Sequence, residues 1–273
     1  MSDTTDFPTP GGAIDLDKMP GHWLLARMGK RVLRPGGRGM TDWLLGHLNI
    51  GADDDVVELA PGLGATAALV LERSPASYTA VERDPDAVVA VRRLLRSGRD
   101  TCAEGTALDT GLAADSADVV LGEAFLTMQS DEHKARMVAE AYRVLRPGGR
   151  YGLHELCLRP DALDATAQDT VRRDLSRAIH VGARPLTAGD WVALLEAAGF
   201  EVAHRDIVLM GLLDPRRVVE DEGLAGGAKI VFNVVRTPAA RRRVRAMRSN
   251  FRRHRDELGA VALVATKPLG ERP

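Results

Sequence analysis

Through the middle of the chain, short and almost wholly apolar runs alternate with longer stretches in which apolar positions return every third or fourth residue. The short runs read as strands buried on both faces, and the longer stretches as the amphipathic helices that cover them. Strands are expected near 55–60, 78–82, 101–104, 118–122, 149–156, 201–208 and 260–266, and helices near 65–73, 85–97, 131–145 and 187–198. Strand and helix in regular turn predict a doubly wound, Rossmann-like α/β fold of seven strands, with an antiparallel strand in a hairpin at its edge.

The pattern changes at both flanks. Trp23, Leu24, Met28 and Val32 have helical spacing, the run Arg34-Pro35-Gly36-Gly37-Arg38-Gly39 breaks it, and Met40 to Leu48 resumes it. Residues 21–50 are therefore expected to form a helical cap after a flexible N-terminus over 1–20. The core is assigned to 51–210 and 259–273. Residues 211–258 are far too long for a hairpin connection and predict a helical insertion. Within it, Gly226 to Val235 reads as a mostly buried helix, and Pro238 suits the first turn of another. The two additions together predict a lid over the crevice that shapes a binding pocket.

The 273 residues, 45% of them apolar, suffice for one substantial core. Lys and Arg number 37 against 38 acids, a formal charge of −1, so the molecule as a whole has no basic field to draw it to nucleic acid or an anionic membrane. The charge is uneven, however: Arg236 to Arg255 holds nine arginines and no acid. Val244, Met247 and Phe251 recur there at helical spacing and predict a packed face with the arginines outside. Only Cys102 and Cys157 are present, without a C-x-x-C pair, which gives no support to a disulfide framework or a zinc site, and no metal is expected. The first residues lack an apolar signal core, and no stretch reaches the ~18 apolar residues needed to span a bilayer. A cytoplasmic protein without a membrane span is the expectation.

Chemistry enters at Val56-Val57-Glu58-Leu59-Ala60-Pro61-Gly62-Leu63-Gly64-Ala65-Thr66, a strand that runs through a glycine turn into a helix. Glycines let the backbone bend and approach a ligand, and the helix start offers free N–H groups to an anion. Read from Gly62 to Ala67, the turn fits the dinucleotide pattern G-x-G-x-x-A, with Glu82 placed to hold ribose hydroxyls, so an NAD(P)-dependent oxidoreductase is one reading. Glu58 favours another, because a carboxylate beside the turn repels a pyrophosphate and suits a cofactor that carries an ammonium and a sulfonium.

With Glu58, the segment resembles the first motif of class I S-adenosylmethionine-dependent methyltransferases, in particular the UbiE-like small-molecule branch, with Ala60 in place of the first glycine. Tyr78 to Pro85 resembles the family's second strand, and Cys102 to Ala107 its third, although Thr106 stands where the family often has Asp. Asp115 to Glu123 resembles the turn and fourth strand, Tyr142 to Tyr151 the Pro-Gly-Gly turn and fifth strand, and Leu194 to Val202 more weakly the sixth. The resemblance implies S-adenosyl-L-methionine as cofactor, held by a shell of Glu58, Ala60, Gly62, Gly64, Glu82, Arg83, Thr106, Ala107 and Glu123. Glu82 would accept from the ribose hydroxyls, Thr106 and Ala107 would flank adenine, and Glu123 would face either the cofactor or the methyl acceptor.

Methyl transfer is an in-line displacement that needs alignment and, for a neutral acceptor, removal of a proton. His154, at the end of the fifth strand, and His133, in a helix start capped by Ser130, are the candidate bases. Trp23, Met28, Phe125, Met128, His154 and Met210 are candidates for the pocket lining. Leu121-Gly122-Glu123-Ala124-Phe125 lacks the Asn/Asp-Pro-Pro-Tyr/Phe motif of base-amine methyltransferases, and aromatics are only 4% of residues, so a nucleic acid is disfavoured and a small-molecule acceptor preferred. A non-catalytic regulatory protein on the same fold is the remaining alternative. Apolar stripes on the additional helices leave a homodimer contact open.

Overall fold

The structure is a computed structural model and describes residues 14–270. The chain begins with two helices, α1 (Gly21–Arg27) and α2 (Gly37–Leu48). The alternating core follows as β1 (Asp55–Leu59), α3 (Ala65–Leu71), β2 (Ser77–Glu82), α4 (Pro85–Arg92), β3 (Thr101–Glu104), β4 (Ala117–Glu123), α5 (Asp131–Val144) and β5 (Leu145–Leu158). Then come α6 (Ala165–Ile179), β6 (Leu186–Thr187), α7 (Ala188–Ala197), β7 (Glu201–Leu209), α8 (Pro215–Arg236), α9 (Pro238–Arg253) and β8 (Leu258–Thr266).

One sheet runs in the order β3-β2-β1-β4-β5-β8-β7, seven strands as expected, and the two-residue β6 adds a short parallel pairing to β5. β8 is antiparallel to both its neighbours and lies one place in from the edge, so β7 is the outermost strand. β8 is buried along all but its last residue, which explains why Leu258 to Ala265 is almost continuously apolar and shows no alternation. The sheet is covered on one side by α5 and α7, which bury Trp191, Tyr151 and Leu263, and on the other by α2, α3 and α4 around Leu44, Tyr78 and Val88. Gly152 admits α2 onto β5, because a Cβ there would stand 2.7 Å from Leu48 Cδ1.

The helical additions form a layer of their own. α1, α9 and the chain before α1 share a cluster of Met19, Leu24, Leu25, Met28 and Met247. Of the stretch 1–20 expected to be flexible, only 14–20 lies within the described residues, and there Met19 is fully buried while its carbonyl accepts from Arg243 Nη2 at 3.0 Å. Arg243 thus turns inward, against the expectation that the arginines of this segment all lie outside. α8 differs from expectation as well. Gly223 has φ +73° and ψ 170°, so the helix is two pieces, 215–222 and 224–236. The second is not mostly buried: Ile230 faces the core, whereas Val231, Phe232 and Val235 are exposed. α6 was not foreseen, because only Val171 and Leu175 are buried among its fifteen residues. Among the described residues no helix is long and apolar enough to cross a membrane.

Candidate functional site

The sheet reverses its winding between β1 and β4, and the crevice beyond the C-terminal ends of these strands is where such folds bind ligands. A cavity of about 240 Å³ occupies it. Glu58, Ala60, Gly62, Glu82, Arg83, Thr106, Ala107 and Glu123 all line this one cavity, though they come from four strand ends. Gly64 sits just behind the wall as the left-handed N-cap of α3, with φ +77°, where a Cβ would collide with Leu94 Cδ1. Ala60 adopts φ +54°, a left-handed backbone that disfavours a side chain, at the position where the family pattern has glycine.

Two carboxylates at neighbouring strand ends are treated very differently. Glu82 closes β2, and its Oε2 accepts the Gly62 N–H at 2.9 Å while Oε1 accepts those of Arg83 at 2.8 Å and Asp84 at 3.0 Å. Three backbone donors fix the carboxylate, with no counter-cation at ion-pair distance among the described residues, leaving it lone pairs for vicinal hydroxyls. Glu58 is 3% exposed, and its Oε2 accepts from Tyr78 Oη at 2.6 Å. Burial pushes its carboxyl up to about 8; the Tyr78 bond opposes this and the nearby Glu123 charge adds to it. At neutral pH it is therefore mostly protonated, and its negative charge develops only when a cation is brought beside it.

Glu123, at the end of β4, is also buried but remains ionised. Burial alone would raise its pKa, and the Arg34 guanidinium outweighs this, together with His154 and the Thr41 hydroxyl, holding the carboxyl below its usual range. Arg34 Nε lies 2.9 Å from Glu123 Oε2, which also accepts from Thr41 Oγ1 at 2.9 Å and Thr66 Oγ1 at 3.2 Å. Arg34 Nη1 donates to the same Thr66 hydroxyl. Among the described residues, the other oxygen of Glu123, Oε1, has no hydrogen-bond partner.

Arg34 belongs to the 34–39 run that read from sequence only as a break between helices. In the structure, residues 30–38 form a strap across the crevice, held from both sides. On the inner side, Arg34 grips Glu123, and Gly36 N–H donates to His154 Nε2 at 3.1 Å. On the outer side, the fully buried Lys30 lies 3.2 Å from Asp221 and 3.6 Å from Glu222 in α8. Asp221 Oδ1 also accepts the N–H of Arg38 at 2.8 Å, and Glu222 Oε1 those of Arg31 and Val32, both at 2.9 Å.

The two candidate bases do not reach the cavity. His154 is fully buried behind Glu123: its Nε2 is taken by Gly36 N–H, and its Nδ1 lies 3.7 Å from Glu123 Oε2. His133 sits in the first turn of α5, where its N–H donates to the N-cap Ser130 at 3.2 Å. Two polar residues that sequence reading passed over do line the cavity. One is His22 of α1, lowered to about 4 by burial and then by the Arg83 charge, against an opposing contribution from Asp84. The other is Glu155, whose carboxylate accepts the N–H groups of Phe125, Leu126 and Thr127 and the Thr127 hydroxyl at 2.6–3.1 Å. It pins the loop after β4. Of the expected apolar lining, Trp23, Phe125, Met128 and Met210 face the cavity. Met28 is buried instead in the cluster between α1 and α9.

Residues 56–149 match a family profile described as a methyltransferase domain. A protein of Haemophilus influenzae, described as uncharacterized, is 29% identical over 251 residues, which cover 90% of this chain and 98% of its own. The crystal structure of the (4+2)-cyclase SpnF has the same fold, with a TM-score of 0.65 at 21% identity over 85% of this chain and 82% of its own. So has Haemonchus contortus phosphoethanolamine N-methyltransferase 2, solved with phosphomonomethylethanolamine and S-adenosylhomocysteine, with a TM-score of 0.68 at 16% identity over 92% of this chain and 58% of its own. Residues 56–149 are thus a methyltransferase domain laid over a strand-end crevice, on the fold that S-adenosylmethionine-dependent methyltransferases share, and that domain implies S-adenosylmethionine as the cofactor.

Proposed function

We propose that the enzyme methylates a small, largely apolar molecule, and that the cofactor lies in the strand-end half of the cavity with the acceptor under the helical additions. The observation that carries this reading is the division of one cavity. Its floor of charged strand ends gives way to a roof of Trp23, Leu175, Ile179, Met247 and Phe251, drawn from α1, α6 and α9.

The residues present fit the cofactor on the evidence of their own bonding. Glu82, held by three backbone N–H groups, would accept from the ribose hydroxyls. Glu58, protonated at neutral pH when unliganded, would ionise beside the cofactor's ammonium. The Gly62–Gly64 turn and the start of α3 would take the carboxylate. Arg83, Thr106 and Ala107 would border the nucleoside, and Ala60 lets the chain approach closely at the turn. The bound cofactor supplies a sulfonium-activated methyl group.

What the protein adds is alignment. Glu123 is held ionised and presents an open Oε1, so it would orient an acceptor N–H or O–H by accepting from it. His154 acts as a positioning residue, because an imidazole that accepts Gly36 N–H on Nε2 carries its proton on Nδ1, turned toward Glu123. The apolar roof excludes water and so strengthens each of these contacts.

Calorimetric titration with S-adenosylmethionine, S-adenosylhomocysteine and NAD, beside Glu82→Ala, tests the cofactor half. Micromolar binding of the two sulfur compounds, weakened in the variant, is expected; binding of NAD alone would overturn the reading. Transfer of a labelled methyl group to a panel of acceptors graded from polar to apolar tests the other half. A preference for the polar members sinks the assignment of the roof.

A further inference from the structure

The outer faces of α8 and α9 carry two stripes that serve no purpose within the fold. From Gly223 to Arg255 there is no acid, while Lys and Arg together number ten. In the second piece of α8, Leu224, Ala228, Val231 and Val235 follow the spacing i, i+4, i+7, i+11, with Phe232 beside them. On a 3.6-residue helix these positions fall within an arc of about 100°, centred opposite Ile230, which faces the core. The four large side chains are 79% (Leu224), 61% (Val231), 57% (Phe232) and 56% (Val235) exposed. This is an amphipathic helix whose second apolar face points to solvent.

α9 repeats the spacing with a different chemistry. Arg241, Arg245, Arg248 and Arg252 stand at i, i+4, i+7, i+11, opposite the inward Arg243 and Met247. Among the described residues none of the four has a carboxylate within ion-pair distance. By contrast Arg242 reaches Asp17 at 3.1 Å and Arg253 reaches Asp174 at 3.9 Å. The helices form a hairpin through Thr237 and turn their inner faces, with Val234, Ala240 and Met247, into one cluster. Their outer faces therefore share a side of the molecule. Where they meet, the Arg236 guanidinium lies 5.1 Å from the centre of the Phe232 ring.

We propose that this face docks on an anionic lipid bilayer surface. The apolar stripe would enter the boundary between headgroups and acyl chains, and the arginine stripe would lie along the lipid phosphates. Charge complementarity selects this occupant, since a second copy would bring the same unpaired arginines against one another. A net charge of −1 does not oppose it: the run 223–255 carries ten cations and no acid, and although Asp17 and Asp174 pair with Arg242 and Arg253, the arginine stripe itself keeps its charge for the anionic surface. The inner side of α9 lines the cavity through Met247 and Phe251, so docking sets the apolar roof beside the bilayer. The inference does not depend on the identity of the acceptor.

Flotation of the full-length protein on vesicles tests it, comparing phosphatidylcholine alone with an equimolar mixture of phosphatidylcholine and phosphatidylglycerol. The protein is expected to float with the anionic vesicles only, and less so as salt is raised. Replacing Arg241, Arg245, Arg248 and Arg252 by Gln is expected to lower partitioning by about a hundredfold or more. Val231→Ser with Phe232→Ser should lower it by about tenfold. Thermal melting and S-adenosylmethionine titration in solution, unchanged in both variants, show that each is folded. Failure of the folded wild type to float, or undiminished flotation of both variants, overturns the proposal. It is also overturned by a dimer in light scattering that the serine pair dissociates, or by tighter binding to a generic RNA than to anionic vesicles.

Discussion

The end of β2 and the end of β4 each present a buried carboxylate to the same cavity, yet they are built by opposite means. Glu82 is held by the backbone of its own turn and of the turn in the adjoining strand. Glu123 is held by side chains of α2, α3 and the strap, and the strap is held in turn by residues of the insertion that lie 183 to 191 positions further along the chain. The first arrangement is inherited with the strand-turn-helix unit. The second exists only when distant additions fold onto the core, so the state of Glu123 depends on segments that lie outside the alternating strand-helix core.

The largest effect should come from breaking the distal arrangement. Arg34→Ala leaves an ionised Glu123 buried without its cation and is expected to cost about 3–5 kcal/mol, read from urea unfolding. Arg34→Met with Glu123→Leu should recover most of that loss, and a double variant no more stable than Arg34→Ala would show that the pair is not what matters. The strand-end counterpart, Glu82→Ala, should leave stability closer to wild type but weaken S-adenosylmethionine binding by about ten- to a hundredfold in calorimetry.

Glu58 sharpens the contrast by protonation. Its pKa rises from 4.5 in the unfolded chain to about 8 in the folded one. Its contribution to stability is therefore fully present below 4.5 and lost as pH climbs toward 8. Glu58→Gln should flatten that pH dependence in denaturant titrations across the window. At pH 7 binding of the cofactor's ammonium should release close to one proton in wild type and none in Glu58→Gln, measured by calorimetry in buffers of different ionisation enthalpy. The smallest effect is expected at Ala60. Ala60→Gly relieves a left-handed alanine but adds entropy to the unfolded chain, for a net gain of up to about 1 kcal/mol in thermal unfolding. A loss of stability there would mean that the turn is not strained.

The same division governs what the sequence discloses. The alternation of strand and helix, the glycine turn and the acids at the ends of β1, β2 and β4 were legible, because each is written in residues adjacent along the chain. Arg34 was not, since an arginine beside Pro-Gly-Gly has the local signature of a solvated turn and its partner lies at another strand's end. His154 misled for a related reason. A histidine closing a strand points to the crevice in the linear pattern, but the strap fills that space and caps its outer nitrogen. Ile230 to Val235 is apolar but for Asn233, and burial was the natural reading; the structure divides it between an inner and an outer face.

The buried contact of Lys30 with Asp221 and Glu222 has a consequence for anyone who would re-engineer the enzyme. Lids on folds of this kind invite treatment as interchangeable cassettes, to be cut out and grafted so that one catalyst accepts another's substrates. Here the graft would carry away the anchors of three backbone N–H groups and of a lysine that no water reaches. The exchangeable unit is therefore discontinuous: residues 30–38 must travel with 215–222, or the transplanted roof will rest on a collapsed doorway.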